Sequence, residues 1–78
     1  MPTVLRIDGN HFFFYSNEGS ESPHIHVQNA EKLAKFWLEP IRLASNIGYT
    51  AKELKRIESL IRQHQAKLLE AWHGYFPH

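Results

Sequence analysis

The residues best suited to chemistry in this sequence are His24 and His26, which flank a single apolar residue in the run 23–27. Successive side chains of a β-strand point to opposite faces of a sheet, so both imidazoles are expected on one face and Ile25 with Val27 on the other. Histidine titrates near neutral pH and also binds metals. The pair therefore predicts a sheet face that is capable of acid–base or metal chemistry.

One interpretation of this face is metal-free cleavage of RNA. Such a site needs a base, an acid and a cation that contacts the phosphate. His24 and His26 would supply the base and the acid, and Arg6 or Lys35 would supply the cation. The four side chains form one site only if the strand order brings them to the same face, and the spacing leaves that order open.

Three other interpretations use the same two imidazoles. Rings at positions i and i+2 can converge on a metal ion when a third ligand is near, and the candidates are His11, Glu18 and Glu21. The spacing specifies no third ligand, so we predict no cofactor and leave a metal undecided. In the second interpretation the imidazoles are structural groups on the solvent-facing side of a small sheet. In the third they join Trp37 in a surface that binds a partner.

The composition is that of a small globular domain. The chain has 78 residues, of which 42% are hydrophobic and 13% aromatic, and this allows one core and one domain over residues 1–78. It contains no cysteine, which excludes a disulfide scaffold and a thiolate site. A formal net charge of +1 gives no overall attraction to nucleic acid or membranes. No membrane span or signal peptide is recognisable, so we expect a cytoplasmic protein that does not contact a membrane.

The first half of the chain predicts the antiparallel sheet that must position these side chains. Alternating or continuous apolar runs, bounded by Gly, Pro, Asn and Asp, indicate four strands and a short fifth. The predicted strands cover residues 3–7, 11–16, 23–27, 32–38 and 41–44, and residues 46–48 are predicted to form a turn. The second strand carries Phe12, Phe13 and Phe14 in succession, so it is expected to be covered at least in part on both faces.

The second half predicts a long helix over about residues 51–73. Thr50 and Glu53 have the spacing of a capping box, in which their side chains bind free backbone N–H groups at the helix start. An apolar stripe follows, and it lapses at residues 64–65, where either the helix bends or breaks or one of the two residues crosses the edge of the core. Strands followed by a helix predict an α+β fold, in which an antiparallel sheet of four to five strands, about residues 3–44, packs against the C-terminal helix.

Several short segments occur together in one order. They are residues 1–7 with Gly9, residues 12–18, the Pro-His-Ile-His-Val run 23–27, residues 34–38 and residues 69–72. In these segments the chain resembles a bacterial and phage family described as a domain of unknown function, DUF4160, and the resemblance covers nearly the whole chain. Asn10 departs from the pattern, where an aromatic or charged residue is expected, and we expect this change to affect only the hairpin turn.

The resemblance implies a small protein encoded beside a second short protein, an organisation like that of toxin–antitoxin modules. The family's motif positions carried onto this chain are Arg6, His24, His26, Lys35 and Trp37. We therefore predict a cytoplasmic component of such a module that acts through the face carrying the histidines. If it is the toxin, RNA is the expected substrate, with the histidines as acid and base.

Two alternatives from other functional classes remain. The first is a non-enzymatic partner that binds a protein or a nucleic acid, and the second is a metal-binding domain. A small operon-encoded protein is the expected partner, and self-association into a homo-oligomer is compatible with the sequence.

Overall fold

The computed structural model describes residues 3–15 and 20–76, and it has the α+β architecture expected from the sequence. Within these residues, five antiparallel strands form one sheet in the order β1-β2-β3-β4-β5, and two helices follow. The elements are β1 Thr3–Ile7, β2 Asn10–Phe13, β3 His24–Asn29, β4 Lys32–Leu38, β5 Ile41–Ile47, α1 Ala51–Gln63 and α2 Gln65–Tyr75. Neither α1 nor α2 has the length and apolar character that crossing a membrane requires.

One face of the sheet forms the hydrophobic core with the two helices. Alternate side chains of the central strands point to this face, as the period of a strand requires. Each fully buried aliphatic or aromatic side chain stabilises the fold by about 1.5–3 kcal/mol relative to an exposed one. The sheet contributes Phe12, Ile25, Val27, Ala34, Phe36 and Leu38, and the helices contribute Ile57, Leu60, Ile61, Leu68 and Trp72.

The helical half begins with the predicted capping box and breaks where the apolar stripe lapses. The Glu53 N–H donates to Thr50 Oγ1 at 3.1 Å, and the Thr50 N–H donates to Glu53 Oε1 at 2.9 Å. His64 separates two helices, so the single helix predicted over 51–73 is corrected to α1 and α2. Gln65 Nε2 donates to the main-chain carbonyl oxygen of Leu38 at 2.7 Å. The break therefore ties the start of α2 to the end of β4.

The strand β2 is shorter than the predicted strand 11–16. It ends at Phe13, and the following Phe14 packs into the core with its ring centroid 5.3 Å from that of Trp72. Residue Ser16, the predicted end of the strand, lies outside the described residues. The predicted cover on both faces is confirmed, because Phe12 and Phe13 point to opposite faces and each is only 1% exposed.

The strand β5 is longer than the predicted strand 41–44. It continues to Ile47, which pairs with Leu33 of β4, so the predicted turn at residues 46–48 is wrong for its first two residues. The chain turns only at Gly48, whose φ of 89° suits glycine. The length of β5 follows from its pairing with the seven residues of β4. The local composition of residues 41–47 does not reveal this pairing.

Two-residue turns join β1 to β2 and β3 to β4. In the first turn Asp8 and Gly9 both have positive φ, 55° and 77°, a combination that matches the right-handed twist of a hairpin. The second turn places Ala30 at a φ of 55°. Left-handed backbone costs a residue with a Cβ atom about 1–2 kcal/mol. A cis peptide bond between Glu39 and Pro40 lies in the turn from β4 to β5.

The substitution Ala30→Gly should raise the free energy of unfolding by about 0.5–1 kcal/mol, because glycine adopts positive φ without the steric cost. Urea denaturation measures this change. The matched control is Ala66→Gly on the exposed side of α2, which should lower the free energy of unfolding by about 0.5–1 kcal/mol. Similar losses in both variants would contradict the assignment of strain to Ala30.

A buried polar pair joins β2 to the segment before α1. The Tyr49 hydroxyl donates to Asn10 Oδ1 at 3.0 Å, and the two residues are 6% and 7% exposed. Asn46 holds the backbone of Tyr49, because its side chain both donates to the Tyr49 carbonyl and accepts from the Tyr49 N–H. Burial, and then the charge of Glu53, raise the pKa of Tyr49 to about 12. Asn10 therefore does more than complete the hairpin turn, contrary to the expectation from the sequence.

Folding stability should fall as the pH rises from about 10 to about 12. In this interval the folded protein retains the Tyr49 proton, whereas the unfolded chain loses it near the ordinary pKa of 10.0. The contribution is fully present below the unfolded pKa and is lost as the pH passes the folded one. Urea denaturation of the wild type and of Tyr49→Phe should show their difference in stability shrinking by about 2 kcal/mol across the interval. Parallel pH profiles would contradict the shifted pKa.

Candidate functional site

The register between β3 and β4 brings three of the predicted site residues together. His26 lies directly opposite Lys35, and His24 lies directly opposite Trp37. Side chains at directly opposed positions of an antiparallel pair point to the same face. All four therefore share the sheet face that is turned away from the core residues Ile25 and Phe36.

The strands β1 and β2 extend this face to the other side of the sheet. Phe13 lies opposite His26, and His11 lies opposite Arg6. Arg6 is two strands away from β3, roughly 10 Å across the sheet, and Phe13 lies on the strand between them. The structure thus places Arg6 on the predicted face but at a distance from the two histidines. We call the surface formed by Arg6, His11, Phe13, His24, His26, Lys35, Trp37 and Arg42 the histidine face.

His24 is buried where α2 crosses the end of the sheet. Its exposed fraction is 0%, and its ring centroid lies 4.8 Å from that of Trp72 and 5.6 Å from that of Trp37. Nδ1 lies 2.8 Å from the main-chain carbonyl oxygen of Ser22, which can only accept, so Nδ1 carries a proton. This is the geometry of a structural side chain that holds the start of β3 against the C-terminal helix.

His26 lies closer to the surface and is enclosed by aromatic rings. It is 7% exposed, and its ring centroid lies 4.5 Å from that of Tyr15, 5.5 Å from that of Phe13 and 5.2 Å from that of His24. Tyr15 is itself 36% exposed. Sequence reasoning did not select Tyr15 as a site residue, although an aromatic ring with a polar tip at the end of an apolar run is a usable signal.

Lys35 is held between a carboxylate and an aromatic ring. Its Nζ atom lies 2.7 Å from Glu21 Oε1 and 4.6 Å from the centre of the Trp37 ring. Both members of the ion pair are partly exposed, so the pair contributes at most about 1 kcal/mol. Its main effect is to hold the Lys35 ammonium in place, on the strand next to His26. Glu21, a candidate metal ligand in the sequence, here binds a lysine.

The described residues contain no group of three His, Cys, Asp or Glu side chains that could hold a metal ion. Of the third ligands considered from the sequence, His11 lies opposite Gln28, two residue pairs along the strands from the pair of Phe13 and His26. Glu18 lies outside the described residues. The described part of the histidine face therefore offers aromatic rings and cations around the imidazoles.

Charge is segregated between the sheet and the rest of the chain. The five strands contain no Asp or Glu, and the acidic residues within residues 3–15 and 20–76 lie in turns, shortly before β3 and in the helices. Arg6 and Lys35 lie on the histidine face, and Arg42, which pairs with Trp37, lies there too. The strands thus present only positive charge on this surface.

The fold and this surface define a small α+β domain with a cationic, aromatic sheet face. The sequence model of the family described as a domain of unknown function, DUF4160, matches residues 9–73, and the chain belongs to this family. The resemblance drawn from the sequence is thereby confirmed, whereas the bacterial or phage source and the operon organisation stay predictions. No curated protein and no solved structure matches the chain.

Replacing His24 with alanine should lower the free energy of unfolding by about 2–4 kcal/mol, because it leaves a cavity between the rings of Trp37 and Trp72. Urea denaturation measures the loss. His73→Ala, on the exposed side of α2, is the control and should change stability by no more than about 0.5 kcal/mol. Wild-type stability of the His24 variant would contradict its structural role.

Proposed function

We propose that this protein is the RNA-directed component of a two-protein module of the toxin–antitoxin kind, and that the histidine face is its RNA-binding surface. The observation that carries the proposal is the charge on the sheet. Arg6, Lys35 and Arg42 lie on this face, and no strand contains an acidic residue. Such a surface attracts the phosphate backbone without a large net charge on the whole chain.

The aromatic residues on this face favour single-stranded RNA over a duplex. Tyr15 is 36% exposed at the edge of the ring cluster, and Trp37 is partly exposed beside Lys35. Unpaired bases stack on such rings and gain about 1–3 kcal/mol each, whereas the bases of a duplex are already stacked. Three phosphate contacts with a single strand correspond to a slope of about −2 in log K against log salt.

Cleavage of the bound RNA is the more demanding form of this proposal. His24 and His26 would act as acid and base, and Lys35 or Arg6 would contact the phosphate. Proton transfer requires hydrogen-bond contact with the substrate, and the two histidines are 0% and 7% exposed. This burial favours binding without cleavage, and it makes His26 the imidazole to test for catalysis.

Contact with the second protein of the module is the alternative function. The edge strand β5 supports it, because its residues after Ile41 are exposed, including Leu43 at 45% and Ile47 at 65%. An exposed edge strand can accept an added strand from another chain. Copurification with the product of the neighbouring gene, in the absence of RNA binding, would select this function.

The RNA proposal is tested by fluorescence anisotropy with a labelled single-stranded RNA of mixed sequence. Arg6→Gln and Arg42→Gln remove exposed charges from the histidine face, so each should weaken binding about 3–10-fold and reduce the salt slope by about 0.7. Lys67→Gln removes the same charge from the exposed side of α2. This control should change the affinity less than about twofold, by the same reasoning.

Two results would overturn the proposal. Equal losses of RNA affinity in Arg42→Gln and Lys67→Gln would show that the RNA is attracted by the charge of the whole molecule and not by the histidine face. The absence of binding at low salt would exclude an RNA-directed role. In cells, induced expression of the wild type and of His26→Gln separates the two forms of the proposal, because growth arrest that persists in a folded His26→Gln variant removes catalysis by His26.

A further inference from the structure

A second candidate site lies on the helix side of the sheet, away from the histidine face. It is a cleft of about 290 Å³ between the β1–β2 turn, the end of β3 and the first turns of α1. This volume is close to the lower end of the range for small-molecule sites. Its charged lining residues are Asp8, Lys52, Glu53 and Arg56, and its uncharged polar ones are Asn10, Asn29 and Tyr49.

The floor of the cleft presents the side-chain amide of Asn10. Asn10 is 7% exposed, and its Oδ1 atom accepts from the Tyr49 hydroxyl at 3.0 Å. Among residues 3–15 and 20–76, no group accepts a hydrogen bond from Asn10 Nδ2. Asn10 lines the cleft, so this amide group can donate to an acceptor atom of a ligand there.

The mouth of the cleft adds a second amide. A Cβ atom built on Gly9 would lie 3.2 Å from Asn29 Nδ2, so glycine allows the Asn29 side chain to approach the turn closely. Gly9 also has a φ of 77°, and the turn and the close approach both favour glycine there. The two hairpin turns therefore bring the amides of Asn10 and Asn29 to one cleft.

The charged residues that line the cleft balance, Asp8 and Glu53 against Lys52 and Arg56, and Lys32 outside the lining neutralises Glu53. Asp8 is paired with Arg56 at 3.1 Å, and Glu53 is paired with Lys32, whose hydrogen bond holds the pKa of Glu53 below its usual range. Lys52 has no ion pair with any described residue. The N-terminus of α1 adds roughly half a positive charge. Both carboxylates are therefore compensated, and the ammonium of Lys52 remains.

We propose that this cleft binds a small oxyanion, the phosphate or carboxylate group of a ligand. Asn10 Nδ2 donates to it from the floor, Asn29 Nδ2 donates from the mouth, and Lys52 supplies the compensating charge. Amide and ammonium N–H groups are donors only, and they match the acceptor-only oxygens of such a group. The proposal is independent of RNA binding at the histidine face.

The test is a titration of the ¹⁵N-labelled full chain with inorganic phosphate, and separately with acetate, at constant ionic strength. The side-chain amide signals of Asn10 and Asn29 should shift saturably, and the tighter of the two anions identifies the chemical class. Lys52→Gln should weaken binding at least about threefold because it removes the uncompensated charge. Asp8→Asn should tighten binding about threefold because it releases Arg56. Lys67→Gln, outside the cleft, is the matched control and should bind as the wild type does.

Three results would overturn the proposal. They are shifts that do not saturate, equal losses in Lys52→Gln and Lys67→Gln, and unchanged affinity in Asp8→Asn. Lys52 and Asp8 are both exposed, so these variants are expected to fold, and their circular dichroism spectra check this. A titration with single-stranded RNA keeps the two proposals apart, because RNA on the histidine face should leave the Asn10 side-chain signal in place.

Discussion

The strand β3 lies in the middle of the sheet, so both of its edges are hydrogen-bonded to neighbours and both of its faces are covered. On the core face this requirement is met by Ile25 and Val27, each 0% exposed. On the other face the covered residues are His24 and His26, and a buried polar ring must find hydrogen bonds or it destabilises the fold. The Nδ1 atom of His24 meets this demand through the carbonyl of Ser22. His24 and His26 therefore have a structural role in the sheet that does not depend on any role in a functional site.

The break between the helices determines how that buried pair is covered. The helix α2 starts at Gln65 and crosses the end of the sheet where β3 begins, and there the ring of Trp72 lies 5.3 Å from that of Phe14 and 4.8 Å from that of His24. One side chain thus packs against both the core and the end of the histidine face. The break at His64 thus precedes the helix that makes both ring contacts.

The distribution of carboxylates differs between the histidine face and the cleft. On the histidine face Glu21 binds Lys35 from outside the strands, and the strands themselves add only cations. At the cleft Asp8 binds Arg56 within the lining, and Lys52 is the cation that remains. The first surface is broad and aromatic and suits a polymer, whereas the second is small and amide-lined and suits a single anionic group.

Local patterns in the sequence determined the element types, the capping box, the lapse of the apolar stripe at residues 64–65 and the face assignment within each strand, because these depend on neighbours a few positions away. Tertiary structure decided the strand order, which puts Arg6 on the histidine face but far from His24. It also decided that His24 is inaccessible and that Asn10 binds Tyr49, a residue 39 positions later in the chain. Burial and such pairings arise from contacts between distant segments, and no local period encodes them.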